Sequence, residues 1–78
     1  MLILRELLDN ETVSFEVISE NDDLTQARIE LYEWLSIFEN HDYLAAVIAG
    51  FDAIDPSFDH DWPVDAGNGY TEHFEWRC

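Results

Sequence analysis

Two hydrophobic rhythms run along the chain, and the changes between them mark its elements. Residues 2–8 fit a helix or a strand, because Ile3, Leu4, Leu7 and Leu8 also recur at helical spacing. Pairing decides between the two. With Asp9-Asn10 as a two-residue turn, Leu8 faces Glu11, Glu6 faces Val13, Leu4 faces Phe15 and Leu2 faces Val17. This register gathers Leu2, Leu4, Leu8, Val13, Phe15 and Val17 on one face. The other face receives Ile3 opposite Glu16, Arg5 opposite Ser14 and Leu7 opposite Thr12. A β-hairpin over 2–18 is predicted.

Ser19-Glu20-Asn21-Asp22-Asp23 is a polar break that ends in helix-start chemistry, with Asp23 and Gln26 spaced as a capping box. Leu24, Ala27, Leu31, Trp34, Leu35 and Phe38 then recur at helical spacing, with Glu30 and Glu33 on the opposite side. A helix over about 23–39 follows. Asp42 suits the N-cap of a second helix, whose apolar face is Leu44, Val47, Ile48, Phe51 and Ile54. Only Ala45, Ala49 and Asp52 suit solvent, so this helix is expected to be mostly buried. Gly50 within it costs about 1 kcal/mol relative to Ala, which points to close packing or a bend. Pro56 ends it.

Pro56, Pro63, Gly67 and Gly69 punctuate residues 55–69, which read as a long loop held by Phe58 and Trp62. Tyr70 to Arg77 alternates cleanly, with Tyr70, Phe74 and Trp76 on one face, and reads as a third strand. The expected order is ββααβ: one α+β domain over 1–78, with a three-stranded antiparallel sheet carrying both helices on one face. Strand order is not readable from the pattern.

Charge changes the picture. Eighteen Asp and Glu stand against three Arg and no Lys, for a net charge of -15. A 47% hydrophobic fraction with 14% aromatics still indicates a globule rather than a disordered tail. Such imbalance repels itself within the compact state. It also disfavours direct binding to nucleic acid or an anionic membrane, both of the same sign. The segment after Met1 is too short and too polar for a signal peptide or a membrane span. Cys78 has no second cysteine to pair with, which suits a reducing cytoplasm.

Candidate chemistry is sparse. Asp59-His60-Asp61 with His73 or His41 offers metal-ligand types, but matches neither zinc spacing nor a calcium loop, so no metal or other cofactor is expected. With eighteen acids, carboxylate pairs at catalytic separations arise by chance. No Ser-His or Cys-His arrangement and no Gly-rich phosphate loop is present, and Cys78 is placed at a fraying end; no enzyme is predicted. Trp34, Phe38, Phe51, Phe15, Phe74 and Trp76 fall at in-facing positions, whereas Tyr32, Tyr43, Phe58, Trp62 and Tyr70 are free to flank an interface. Arg28, two and five residues from Glu30 and Glu33, forms no ideal helix pair with either.

Charge density remains. Duplex DNA carries one phosphate per about 1.7 Å of axis, so eighteen carboxylates match roughly 31 Å of duplex. A chain of this length should have a radius of gyration of about 11–12 Å and a diameter of about 30 Å. The alternatives are a merely soluble acidic protein and a salt-adapted one, though the aliphatic and aromatic content is not reduced as salt adaptation would favour.

In size, sign and lack of catalytic motifs, the chain resembles the small phage-encoded DNA-mimic proteins, which inhibit restriction enzymes, CRISPR effectors, DNA gyrase, uracil-DNA glycosylase or nucleoid proteins. The resemblance is one of composition and covers the whole chain. It implies an inhibitor in a bacterial cytoplasm that occupies the basic groove of a DNA-binding protein; a homodimer is left open. An antidote that neutralises one basic toxin, such as a nuclease, is the second reading. The acids nominated for the interface are Asp22, Asp23, Glu30, Glu33, Asp52, Asp55, Asp59, Asp61 and Asp65, expected as one face of the first helix, the long loop and the hairpin edge.

Overall fold

Asp9 and Asn10 both adopt left-handed backbone, with φ of 52° and 67°. A two-residue type I′ turn needs two positive φ values, and Asp and Asn tolerate them best among side-chain-bearing residues. They join β1 (Leu2–Leu8) to β2 (Glu11–Ser19) in the computed structural model, which describes residues 1–66 and 69–78. There follow α1 (Leu24–Leu35), α2 (His41–Asp52), β3 (His60–Asp65) and β4 (Thr71–Trp76). The strands form one antiparallel sheet in the order β2-β1-β4-β3. The chain is a small α+β domain, with four strands where the pattern predicted three.

The fourth strand, β3, lies within the segment read as a loop. Pro63 argued against a strand there, but β3 is an edge, where a residue without an N–H is tolerated. Trp62 and Val64 alternate inward and are buried, while Asp61, Pro63 and Asp65 are exposed. Trp62 does anchor the segment at 7% exposure; Phe58, expected to share that role, is 67% exposed. Of the turn read at Ala66-Gly67-Asn68-Gly69, Gly67 and Asn68 lie outside the described residues.

The first hairpin forms with a different register. Leu8 faces Glu11 and Leu7 faces Thr12 as expected, but the pairing then shifts past Val13. Glu6 now meets Ser14, Arg5 meets Phe15, Leu4 meets Glu16 and Ile3 meets Val17; a second shift sets Leu2 opposite Ser19. A one-residue slip turns the side chains of a strand over. Phe15 and Val17 therefore share the face of Ile3 and Arg5, away from the helices. Val13, Phe15 and Val17 are 51%, 58% and 40% exposed, and Leu8 is also exposed. The reason lies in what covers β2: α1 meets it through polar groups, with Ser19 Oγ donating to Glu30 Oε2 and Trp34 Nε1 donating to Glu16 Oε1.

Both helices lie on the inner face of the sheet. There Leu2, Leu4, Trp62, Val64, Phe74 and Trp76 form one core with Ala27, Leu31 and Leu35 of α1, and with Val47, Phe51 and Ile54 from α2 and just beyond. Asp23 caps α1 by accepting from the Thr25 N–H at 2.9 Å. The helix stops at Leu35 rather than 39, where the Ser36 hydroxyl and N–H both turn back to the Glu33 carbonyl. Asn40, not Asp42, caps α2; its Oδ1 accepts from the N–H groups of Asp42 and Tyr43. Asp42 instead lies in the first turn, where its charge suits the helix dipole.

α2 is half-buried rather than central. Lying beside α1 over one sheet face, it buries Val47 and Phe51 fully and leaves Ala45, Ala46 and Ala49 exposed. Gly50 is in tight contact, since a Cβ there would lie 2.2 Å from Trp62 Cδ1. Arg28 links the two helices by an ion pair to Asp52 (2.7 Å), with its guanidinium 4.9 Å from the Phe51 ring centroid. The radius of gyration is 11.9 Å and the extents are 32 × 26 × 18 Å. No helix among the described residues is long and apolar enough to cross a membrane.

Candidate acidic interface

The antiparallel register gives the sheet two ends, and the acids divide between them. Ser19, Leu2, Trp76 and His60 form the row at one end. Next to it stand Asp22 and Asp23 before α1, Asp52 at the end of α2, and Asp55 and Asp59 in the connection to β3. These five nominated acids are exposed. Glu30 and Glu33 lie further along α1, and Asp61 and Asp65 project from β3 toward the helix-free face. The nominees thus span one end and both faces of the sheet rather than a single face.

The Met1 amine, Arg28 and Arg77 lie at the same end, and Arg5 stands further along the sheet. The Met1 amine pairs with Asp22 (3.6 Å), Arg28 with Asp52 (2.7 Å), and Arg5 and Arg77 both with Glu75 Oε2 (3.1 Å each). Other carboxylates there serve the backbone: Asp55 accepts from Ser57 N–H and Asp59 from Cys78 N–H, each at 2.9 Å. The chain end is therefore tied down rather than fraying, and Met1 donates to the Arg77 carbonyl at 2.9 Å. Burial and the adjacent Asp59 push the Cys78 thiol up, against a nucleophilic role. Glu30 is held below the usual carboxylate range by its hydrogen bond from Ser19 and by Asn21.

The residues considered for a metal diverge. His60 stacks against Trp62 on the inner face, Asp59 holds the chain end, and Asp61 projects to the outer face. Among the described residues, no group of three or more His, Cys, Asp or Glu has metal-holding geometry.

The opposite end holds nominated Asp65 together with Glu6, Glu39 and Glu72, which the sequence reading did not nominate. A cleft of about 430 Å³ opens beneath the α1–α2 connection, lined by Glu6, Phe38, Glu39, Asn40, Tyr43, Asp65, Ala66 and Glu72. Glu6, Glu39 and Glu72 form no ion pair among the described residues. Glu72 is only 8% exposed; its Oε1 and the Tyr43 hydroxyl make no well-formed hydrogen bond, though the two side chains lie close enough to shift each other's titration. Burial holds the Glu72 carboxyl above its usual range; nearby Tyr43 draws it down, and Glu6 and Glu16 push it further up. Burial, reinforced by Glu72, Glu6 and Glu16, likewise raises the Tyr43 phenol far above its ordinary range. The signal available for this site was the alternation of β4, which puts Glu72 on the face of Phe74 and Trp76.

Overall the protein offers a negative surface whose cations are engaged internally, and one concave site where a carboxylate is buried without a counterion. No family model, no curated protein and no solved structure matches this chain.

Proposed function

We propose that the protein occupies the basic, DNA-binding groove of a partner and competes with DNA there. The supporting observation is charge per length. A 32 Å stretch of duplex carries about 19 phosphates, and this body, 32 Å long, carries eighteen acidic side chains. Every Arg is paired with an acid within the chain, so little positive charge faces outward. Carboxylates at both ends and on both faces surround the body, as phosphates surround a duplex. The partner class is a bacterial DNA-processing or defence protein, such as a restriction enzyme, a CRISPR effector or gyrase, met in the cytoplasm. The role is inhibition by binding, without catalysis.

A second reading, an antidote to one basic toxin, draws on a separate observation. Val13, Phe15 and Val17 form an exposed apolar band on β2 that phosphate imitation does not need. Such a band suits an interface whose energy is concentrated in a few contacts.

The test is competition. A partner captured from bacterial lysate on the immobilised protein is purified and loaded with labelled duplex, and the protein is added across a salt series. Mimicry predicts displacement of the duplex, weakening steeply as salt rises. Asp55→Asn, Asp59→Asn and Asp61→Asn combined should slow association about tenfold with little effect on folding. A stable ternary complex with unchanged DNA affinity would instead favour the antidote.

A further inference from the structure

One row of the inner sheet face carries charge that the fold alone does not use. Read from β2 to β3 it is Ser14, Glu6, Glu72 and Val64, with two carboxylates at facing positions on β1 and β4. Facing like charges destabilise a sheet, and a buried carboxylate without a donor costs more than an exposed one. Glu72 combines both: it is 8% exposed, it faces Glu6, and its Oε1 meets no donor. The Tyr43 hydroxyl beside it is also buried, and its neighbouring polar group is that same carboxylate, without a well-formed bond between them. Three unsatisfied features converge on one cleft.

The walls restrict what would satisfy them. Phe38 and Tyr43, with ring centroids 5.3 Å apart, supply aromatic surface beside the carboxylates. Asn40 fixes Tyr43 in place, because its side chain caps the turn from which Tyr43 projects. At about 430 Å³ the cleft falls within the size range of sites that take small groups.

We propose that this cleft receives a single arginine side chain from the protein's partner. A guanidinium is planar, always charged, and carries five donors. It can pair with the Glu6 and Glu72 carboxylates that line the cleft while a flat face rests on an aromatic ring. An ammonium offers a point charge and no face to stack. The inference deepens the reading above and rests on it for the source of the arginine: a groove built for phosphates is lined with such side chains. The exposed acids at the far end that make no ion pair among the described residues, Asp23, Asp55 and Asp59, then supply long-range attraction, and the cleft supplies a specific anchor.

The probe is Nα-acetyl-arginine amide, titrated into isotope-labelled protein and followed by NMR, with Nα-acetyl-lysine amide as comparator. Saturable shifts are expected at the Tyr43 and Phe38 rings and at the Glu72 carboxyl, in roughly the millimolar range for so small a ligand. Glu72→Gln keeps the shape and should weaken binding about tenfold. Asp55→Asn with Asp59→Asn should leave it unchanged. Equal binding by Glu72→Gln, equal binding of the lysine probe, or shifts spread evenly over all surface acids would each overturn the proposal. If arginine fills the cleft but duplex is not displaced from a partner, the cleft stands and mimicry falls. If duplex is displaced while the cleft ignores arginine, the reverse holds.

Discussion

β2 and β3 are the two edges of one sheet, and they dispose of their apolar residues in opposite ways. β3 turns Trp62 and Val64 into the core and sends Asp61 and Asp65 to the helix-free face. β2 turns Ser14, Glu16 and Ser19 toward the helix layer and sends Phe15 and Val17 away from it. Both strands alternate. Alternation states which side chains share a face; the cover above a strand decides which face is buried. Over β3 that cover is close enough for Gly50 of α2 to touch Trp62. Over β2 it is mostly polar, with hydrogen bonds from Trp34 and to Glu30, and only Ile18 at the strand's end packs against the core. The acids of β2 and its flanks, Glu11, Glu16 and Glu20, also guard an edge that would otherwise invite strand pairing.

The largest effect should come from the covered edge. Gly50→Ala would place a Cβ 2.2–2.4 Å from three atoms of the Trp62 ring. Trp62 has nowhere to retreat, since it stacks on Phe74 at 5.5 Å and on His60 at 5.5 Å. Overpacking of this kind costs about 1–3 kcal/mol, offset in part by the better helix propensity of Ala. For a domain of this size, each kcal/mol lowers Tm by about 4–8 °C. The decisive measurement is a double-mutant cycle in urea. In a Trp62→Ala background, Gly50→Ala should become neutral or stabilising; an unchanged penalty would mean that the two residues do not touch.

The sequence made this edge legible in pieces. Gly50 in an apolar helix signalled close packing, and Trp62 signalled an anchor, yet β3 itself was hidden by Pro63. Proline removes a ladder donor, and only knowledge of the strand's edge position makes it harmless. At the other edge the turn residues Asp9 and Asn10 were enough to place the hairpin. They were not enough to place the shift past Val13, because irregular pairing depends on tertiary fit rather than on local pattern. The site divides the same way. Exposure of eight of the nine nominated acids, all but half-buried Glu30, followed from their polarity, whereas the cleft at Glu72 needed the register of three strands and the position of the α1–α2 connection.

Between the edges, the Glu6–Glu72 row tests where the cover works against the charge beneath it. The Glu72 carboxyl is raised in the fold by burial first, with Glu6 and Glu16 adding to it and Tyr43 opposing. A raised carboxyl means the folded state prefers the proton. Its favourable contribution is complete below the unfolded value of about 4.3 and is lost as pH rises through the folded value. Glu72→Gln should therefore be more stable than the parent at neutral pH, by about 1 kcal/mol. The gap should close as pH falls toward about 4.3. Thermal melts of both proteins across that range are the measurement. A gap that widens on acidification would mean that Glu72 is stabilised by charge in the fold, and the cleft would then lack its unsatisfied carboxylate.

The smallest expected effect discriminates most sharply between the two edges. Phe15→Thr and Val17→Thr keep β propensity while removing apolar bulk. Were Phe15 inside, as simple alternation from the turn predicts, its loss would cost about 3–5 kcal/mol for the ring alone. In the observed register Phe15 is 58% exposed and Val17 40%, and each change should cost no more than about 0.5 kcal/mol. The cross-strand neighbours Arg5 and Ile3 do not alter this, because Arg5 already pairs with Glu75 and Ile3 keeps 2% exposure. Urea midpoints at constant m would separate the two outcomes, since the expected difference is several-fold larger than the error of extrapolation. A loss near the higher figure would restore the regular hairpin and place the apolar band of β2 in the core. A loss near the lower one leaves Phe15 and Val17 at the surface, and the same two variants can then be carried into the partner assay. There, weaker binding without weaker folding would assign the band to an interface.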